Sequence, residues 1–145
     1  MKKFLSIVMV AVALLIGNAA VPQTMPQASA QEYWGGDTNY PLLSSSTDFS
    51  WYLDSASVVV KKNIYQGTNI DRVWAANVIT VNKNSGTTFT HTYWFCDYCG
   101  TMYYSIDNGD WVEFDPMDGN HDYMARVRSQ ACKLSWRIAF GSVFS

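Results

Sequence analysis

Residues 47–115 repeat one pattern. Short runs of β-branched and aromatic residues are broken by Asn, Asp, Gly or Ser. Such regular punctuation predicts an antiparallel β-meander. Residues 49–53 read as a strand ended by Asp54-Ser55, and 57–62 as a second one centred on Val58-Val59-Val60. Gln66-Gly67-Thr68-Asn69 reads as a loop and 70–81 as a long strand, followed by the turn Asn82-Lys83-Asn84-Ser85-Gly86. Residues 87–96 form the next strand, Asp97-Tyr98 the reversal and 101–106 the return. Asp107-Asn108-Gly109-Asp110 contains Asn-Gly, a strong hairpin signal, ahead of a last strand at 111–114.

The period then changes. Met124, Val127, Ala131, Leu134 and Ile138 recur at spacings of three and four, one face of a helix. Asp118, Asn120 and Asp122 supply N-terminal capping chemistry, and Gly141 is a natural helix stop. The predicted fold is α+β: an antiparallel meander of about five to six strands packed by one C-terminal helix. A second helical stripe, Ala125, Ser129, Cys132, Trp136 and Ala139, suggests burial on two sides. In the long strand, Trp74 and Val78 face one way and Val73 and Ile79 the other. One helix covers one face, so a homodimer is expected.

Ahead of the meander, residues 31–46 lack sustained periodicity and hold Gly35-Gly36, Asn39, Pro41 and a triple serine. They read as a flexible N-terminal segment leading into a single domain at 47–145. Residues 1–30 are different again. Lys2 and Lys3 precede a 13-residue uncharged run from Phe4 to Ile16, and Ala28-Ser29-Ala30 closes the segment. A basic start, a short apolar core and a small-x-small site describe a secretory signal peptide. Cleavage is expected after Ala30, with Gly17-Asn18-Ala19 as the second site. The apolar run is shorter than the roughly 20 residues of a membrane-spanning helix, and no later stretch is apolar enough to span. No cysteine lies near either cleavage site, which argues against a lipoprotein. The expected location is secreted, periplasmic or cell-envelope.

Without Lys2 and Lys3 the mature chain carries 8 basic against 12 acidic residues, a net charge of −4. That balance argues against nucleic acid as a partner. Aromatic residues make up 15% of the chain and charged residues another 15%, enough to leave apolar surface beyond the core.

Candidate chemistry is sparse. Cys96-Asp97-Tyr98-Cys99 lies between two predicted strands, whereas a thioredoxin-like motif opens a helix. In an oxidising compartment the favoured state is a Cys96–Cys99 disulfide with Cys132 buried. Pairing of Cys132 with Cys96 or Cys99, and an intermolecular Cys132 bond, stay open. No metal or other cofactor is expected, because three cysteines with His91 or His121 fit no common zinc spacing. Asp115, Asp118 and Asp122 lack the order of a calcium loop and fit a turn feeding a helix cap. No nucleophile elbow or Ser-His-Asp order is present, and no catalytic residue is assigned. Arg126, Lys133 and Arg137 share one helix face, with Trp136 beside them, and form the candidate binding surface.

Trp51-Tyr52-Leu53-Asp54-Ser55-Ala56-Ser57, the Val73-Trp74 strand, the strand at 111–115 and a helix ending Ala139-Phe140-Gly141 before Phe144 occur in an order that resembles the bacterial surface-adhesin protein E family. The resemblance implies a small antiparallel sheet with a C-terminal helix, often dimeric, and adhesion to extracellular-matrix or serum proteins. This chain lacks that family's lipid-anchoring cysteine, and Cys132 falls earlier on the helix than the family's strand-to-helix cysteine pair implies. The expectation is a non-enzymatic secreted or envelope binding protein, adhesin-like, contacting proteins through aromatic and basic surface. The alternatives are an envelope structural or assembly protein without a host ligand, and an extracytoplasmic CxxC thiol protein.

Overall fold

The computed structural model describes residues 32–118 and 122–145. The signal-peptide assignment, both candidate cleavage sites, Asn120 and His121 lie outside the described residues. The strands are β1 (Leu42–Ser45), β2 (Phe49–Gln66), β3 (Asn69–Asn82), β4 (Thr88–Tyr98), β5 (Thr101–Ile106) and β6 (Val112–Glu113), followed by helix α1 (Tyr123–Phe140). The six strands form one sheet in chain order with every neighbouring pair antiparallel, so the fold is the α+β meander with one C-terminal helix that the pattern predicts. No helix among the described residues is long and apolar enough to cross a membrane.

The segment expected to be a flexible tether is part of this sheet. Leu42–Ser45 pair with β2, Tyr33 bridges to Pro41, and Trp34–Gly36 make a 3-10 turn. Trp34 stacks on Tyr52 at 6.0 Å, and Leu43 enters the core. Four strand residues are too few to show a period, which is why turn residues dominate that stretch of sequence.

Asp54-Ser55 does not end a strand either. β2 runs on through it for 18 residues, and the register to β3 slips between Asp54 and Val59 and again between Val60 and Lys62. Side chains make good the lost ladder. Asp54 Oδ1 accepts from the Ala56 N–H, while Ser57 Oγ donates to the Asp54 carbonyl and accepts from the Asn77 N–H. The same Asp and Ser that favour turns here build a bulge.

Helix α1 starts at Asp122, whose Oδ1 accepts from the Ala125 N–H at 2.7 Å, and stops at Gly141 in the left-handed region. It lies against β1, β2 and β3. Its buried residues are Val127, Ser129, Ala131, Cys132, Ser135 and Trp136, one broad face that joins members of both predicted stripes through Ser135. Met124 and Ile138, near the two ends of the helix, are exposed. Helix periodicity therefore gives no support for burial on two sides. Small residues on the buried face let the helix sit close to the sheet. There Trp74 Nε1 donates to Ser135 Oγ at 2.9 Å, and Ser135 Oγ donates on to the Ala131 carbonyl at 2.6 Å. Trp74 is fully buried, stacked on Phe95 at 5.5 Å and edge-on to Trp136 at 5.2 Å. Leu53, Val78 and Val127 complete the centre of the core.

Candidate functional site

Strand alternation divides the cysteines. On β4, Tyr93, Phe95 and Asp97 point under the helix and are buried, so Trp94 and Cys96 occupy the opposite, open face of the sheet. Cys132 is buried on the helix side, with the sheet between it and Cys96. The β4–β5 reversal is centred on Cys99-Gly100, because Tyr98 pairs with Thr101. Both turn residues have positive φ, 51° and 85°, the signature of a type I′ hairpin. The reversal expected at Asp97-Tyr98 is thus two residues later. Cys96 and Cys99 lie along one extended stretch, about 10 Å apart at about 3.3 Å per residue, beyond disulfide reach. All three cysteines are free thiols, which corrects the expected Cys96–Cys99 pairing and leaves Cys132 bonded to neither of them within the chain. Burial pushes the Cys96 thiol up from its ordinary value and pushes that of Cys132 up much further.

The proposed helix surface is divided too. Arg126 and Arg137 are exposed and Lys133 is half-buried. Trp136 is only 7% exposed and belongs to the core, a correction to its place on that surface. Its indole N–H donates to Ser142 Oγ at 3.2 Å. Arg126 stacks over Tyr123 at 4.9 Å. His91 Nδ1 meets Asp107 Oδ2 at 2.6 Å in the open, and Asp107 Oδ1 accepts from the Thr92 N–H. The first of these bonds, aided by the second, holds the Asp107 carboxyl below its ordinary range. Asp115 Oδ1 accepts from the Met117 N–H, the turn chemistry expected ahead of the helix. No group of three potential metal ligands occurs among the described residues.

The helix leaves the second sheet face open. In cross-strand register this face carries the row Val59, Ala75, Trp94 and Ser105, and beside it Lys62, Val73, Cys96 and Tyr103. Between these rows and the β5–β6 connection lies a hollow of about 290 Å³, lined by Val73, Trp94, Ser105, Asn108, Gly109 and Trp111. Its shape comes from the hairpin. Asp107 and Asn108 both take positive φ, 51° and 61°, one residue ahead of the Asn-Gly signal. Ser105 Oγ donates to the Gly109 carbonyl at 2.8 Å and draws the loop over the sheet. Trp111 is left 49% exposed at the rim. The Trp94 indole N–H is buried without a hydrogen-bond partner, and outside the hollow the exposed Lys61 carries its ammonium 5.9 Å over the Trp94 ring. A desolvated donor beside an exposed indole can take an acceptor from a ligand while the rings bury apolar surface. Asn-Gly marks a turn in the sequence, but nothing there shows that the turn folds back toward Trp94.

Comparison with protein-family models, curated proteins and solved structures finds no match.

Proposed function

We propose that this chain is a non-enzymatic secreted or cell-envelope binding protein, adhesin-like and similar to surface-adhesin protein E, that engages a protein partner on the open face of its sheet. The observation that carries it is the Trp94–Trp111 hollow, with its unsatisfied indole N–H. An exposed indole next to a half-buried one provides a large apolar anchor at low entropic cost. The Trp94 N–H fixes an acceptor, such as a partner carbonyl, in place. The Lys61 ammonium over the Trp94 ring adds a cation beside it. Arg126, Lys133 and Arg137 lie on the helix, across the sheet from this face, and act at most in steering.

Immobilised matrix and serum proteins provide the test. Trp111→Ala is expected to weaken binding by about 30-fold or more, the scale of an interface hot spot. Changing Arg126, Lys133 and Arg137 together to Ala is expected to alter it by less than about tenfold. Binding indifferent to Trp111→Ala would remove the open face from the account.

A second role is favoured by Val59, an exposed apolar residue on that face, with Val73 and Ile79 half-buried along the same side of the sheet. An envelope structural protein would pair two copies there as a homodimer. Light scattering at micromolar concentration decides it: a monomer removes this role.

A further inference from the structure

A different cavity lies on the helix side of the sheet. It measures about 420 Å³ and sits between the β2–β3 and β4–β5 hairpins and the segment after α1. That is within the roughly 300–1,000 Å³ of small-molecule sites. Two opposite charges enter it from neighbouring strands. Arg72 and Asp97 are direct cross-strand partners, a placement that ordinarily closes an ion pair. Here no ion pair forms. The Arg72 guanidinium turns aside into a box of rings, 4.5 Å over Tyr65, 4.8 Å over Trp136 and 5.3 Å over Phe140. Its Nε is buried with no hydrogen-bond partner. Asp97 is only 8% exposed, and its Oδ1 accepts from the Gly100 N–H at 3.1 Å. Its other oxygen accepts no side-chain or turn hydrogen bond among the described residues.

The rings hold the cation away from its natural partner and leave both charges facing the cavity. A half-buried guanidinium whose Nε has no partner calls for a carboxylate, because its planar fork matches two oxygens. Asp97, a strand away, would repel an isolated anion and welcome a cationic donor. A lone amine would meet the reverse problem at Arg72. One ligand class meets both demands: a zwitterion with carboxylate and ammonium a few ångströms apart. Ile70, Met102 and Phe144 form apolar walls for the remainder.

We infer that this cavity binds an α-amino acid with an apolar side chain. The carboxylate lies on Arg72, the ammonium on the free oxygen of Asp97, and the side chain against Ile70, Met102 and Phe144. The site is independent of the open-face function and lies on the other side of the sheet.

Isothermal titration of the mature protein with L-leucine, leucinamide and 4-methylpentanoate tests the inference at millimolar concentration. Leucine binds, while leucinamide, lacking the carboxylate, and 4-methylpentanoate, lacking the ammonium, each bind at least about tenfold more weakly. Arg72→Met abolishes leucine binding. Asp97→Asn weakens leucine and reverses the order, so that 4-methylpentanoate becomes the better ligand. Trp111→Ala leaves all three unchanged, which separates this site from the open face. Should either variant fail to fold, the ligand series on the unmodified protein still decides. Absence of heat with leucine, methionine and phenylalanine, or equal affinity for leucine and 4-methylpentanoate, would overturn it.

Discussion

Trp74 and Trp94 sit on neighbouring strands of one sheet and meet opposite fates. Trp74 faces the helix, is enclosed on every side, and gives its indole N–H to Ser135. Trp94 faces away, is half-covered by a loop, and has no partner for its N–H. The two residues look equivalent in the sequence, each an aromatic within a strand-like run. What separates them is the parity of their positions and the presence of one helix. The helix face shows how this chain holds itself together, and the open face leaves Val59 and Trp111 exposed beside what its own loop covers.

The sharpest contrast between the faces is chemical. Cys132 on the helix side is expected to react with a thiol reagent only when the protein unfolds, about a thousandfold or more slower than exposed Cys99. Cys96 on the open face falls between them. Timed alkylation read by peptide mass checks the order, and fast labelling of Cys132 would mean that the two faces are not separated as described. Next in size is packing. Trp74→Ala is expected to cost about 3–5 kcal/mol in denaturant unfolding. Trp94→Ala should cost roughly half of that or less, because part of the ring already meets solvent. Ser135→Ala, which strands the Trp74 donor, should cost about 1–3 kcal/mol, whereas Trp94→Phe should be close to neutral.

A smaller effect concerns alkaline pH. Burial pushes the Tyr93 phenol up from 10.0 to about 12. The folded state keeps that proton longer than the unfolded chain does. Its stabilising contribution is whole below pH 10.0 and fades as pH rises toward 12, by on the order of 2 kcal/mol. Tyr93→Phe should flatten the alkaline limb of the stability curve. The smallest effect lies in the turn after β5, where Asp107 meets His91 and Thr92 of the same strand as Tyr93. The Asp107 carboxyl is held below its ordinary 3.8 by His91 and the Thr92 N–H. That contribution is present above pH 3.8 and lost as pH falls through the folded value. Asp107→Asn should make acid unfolding slightly less steep.

Residue types are enough to find the meander, the loop at Gln66-Gly67-Thr68-Asn69, and a helix that starts after the cap candidates Asp118, Asn120 and Asp122 and stops at Gly141. Each of those signals acts within a few residues. Errors arise where a local preference has two uses. Asp54 and Ser57 favour leaving the ladder, and whether the chain then turns or bulges depends on Asn77, twenty residues beyond Ser57. Cys96-Asp97-Tyr98-Cys99 fits a turn by spacing, but Gly100 accepts a positive φ more easily and draws the reversal onto itself. The helix stripes merge because Ala131 and Ser135 are small enough to lie at the centre of the contact, where a hydrophobicity pattern expects larger residues. Arg72 leaves no trace in sequence, since its ring box comes from β2 and α1 together.

The bulged course of β2 also bears on how the chain avoids polymerising. β1 is four residues long and covers only the first part of β2, so beyond Ser55 the outer edge of β2 has no strand partner among the described residues. An open edge carrying Val58-Val59-Val60 is the kind of template that recruits other chains into fibrils. Lys61 and Lys62 follow directly, and the second register slip falls between Val60 and Lys62, so charge and distortion together spoil the template where it is most apolar. Charges placed next to an apolar strand edge are the gatekeeper arrangement that limits amyloid-like growth.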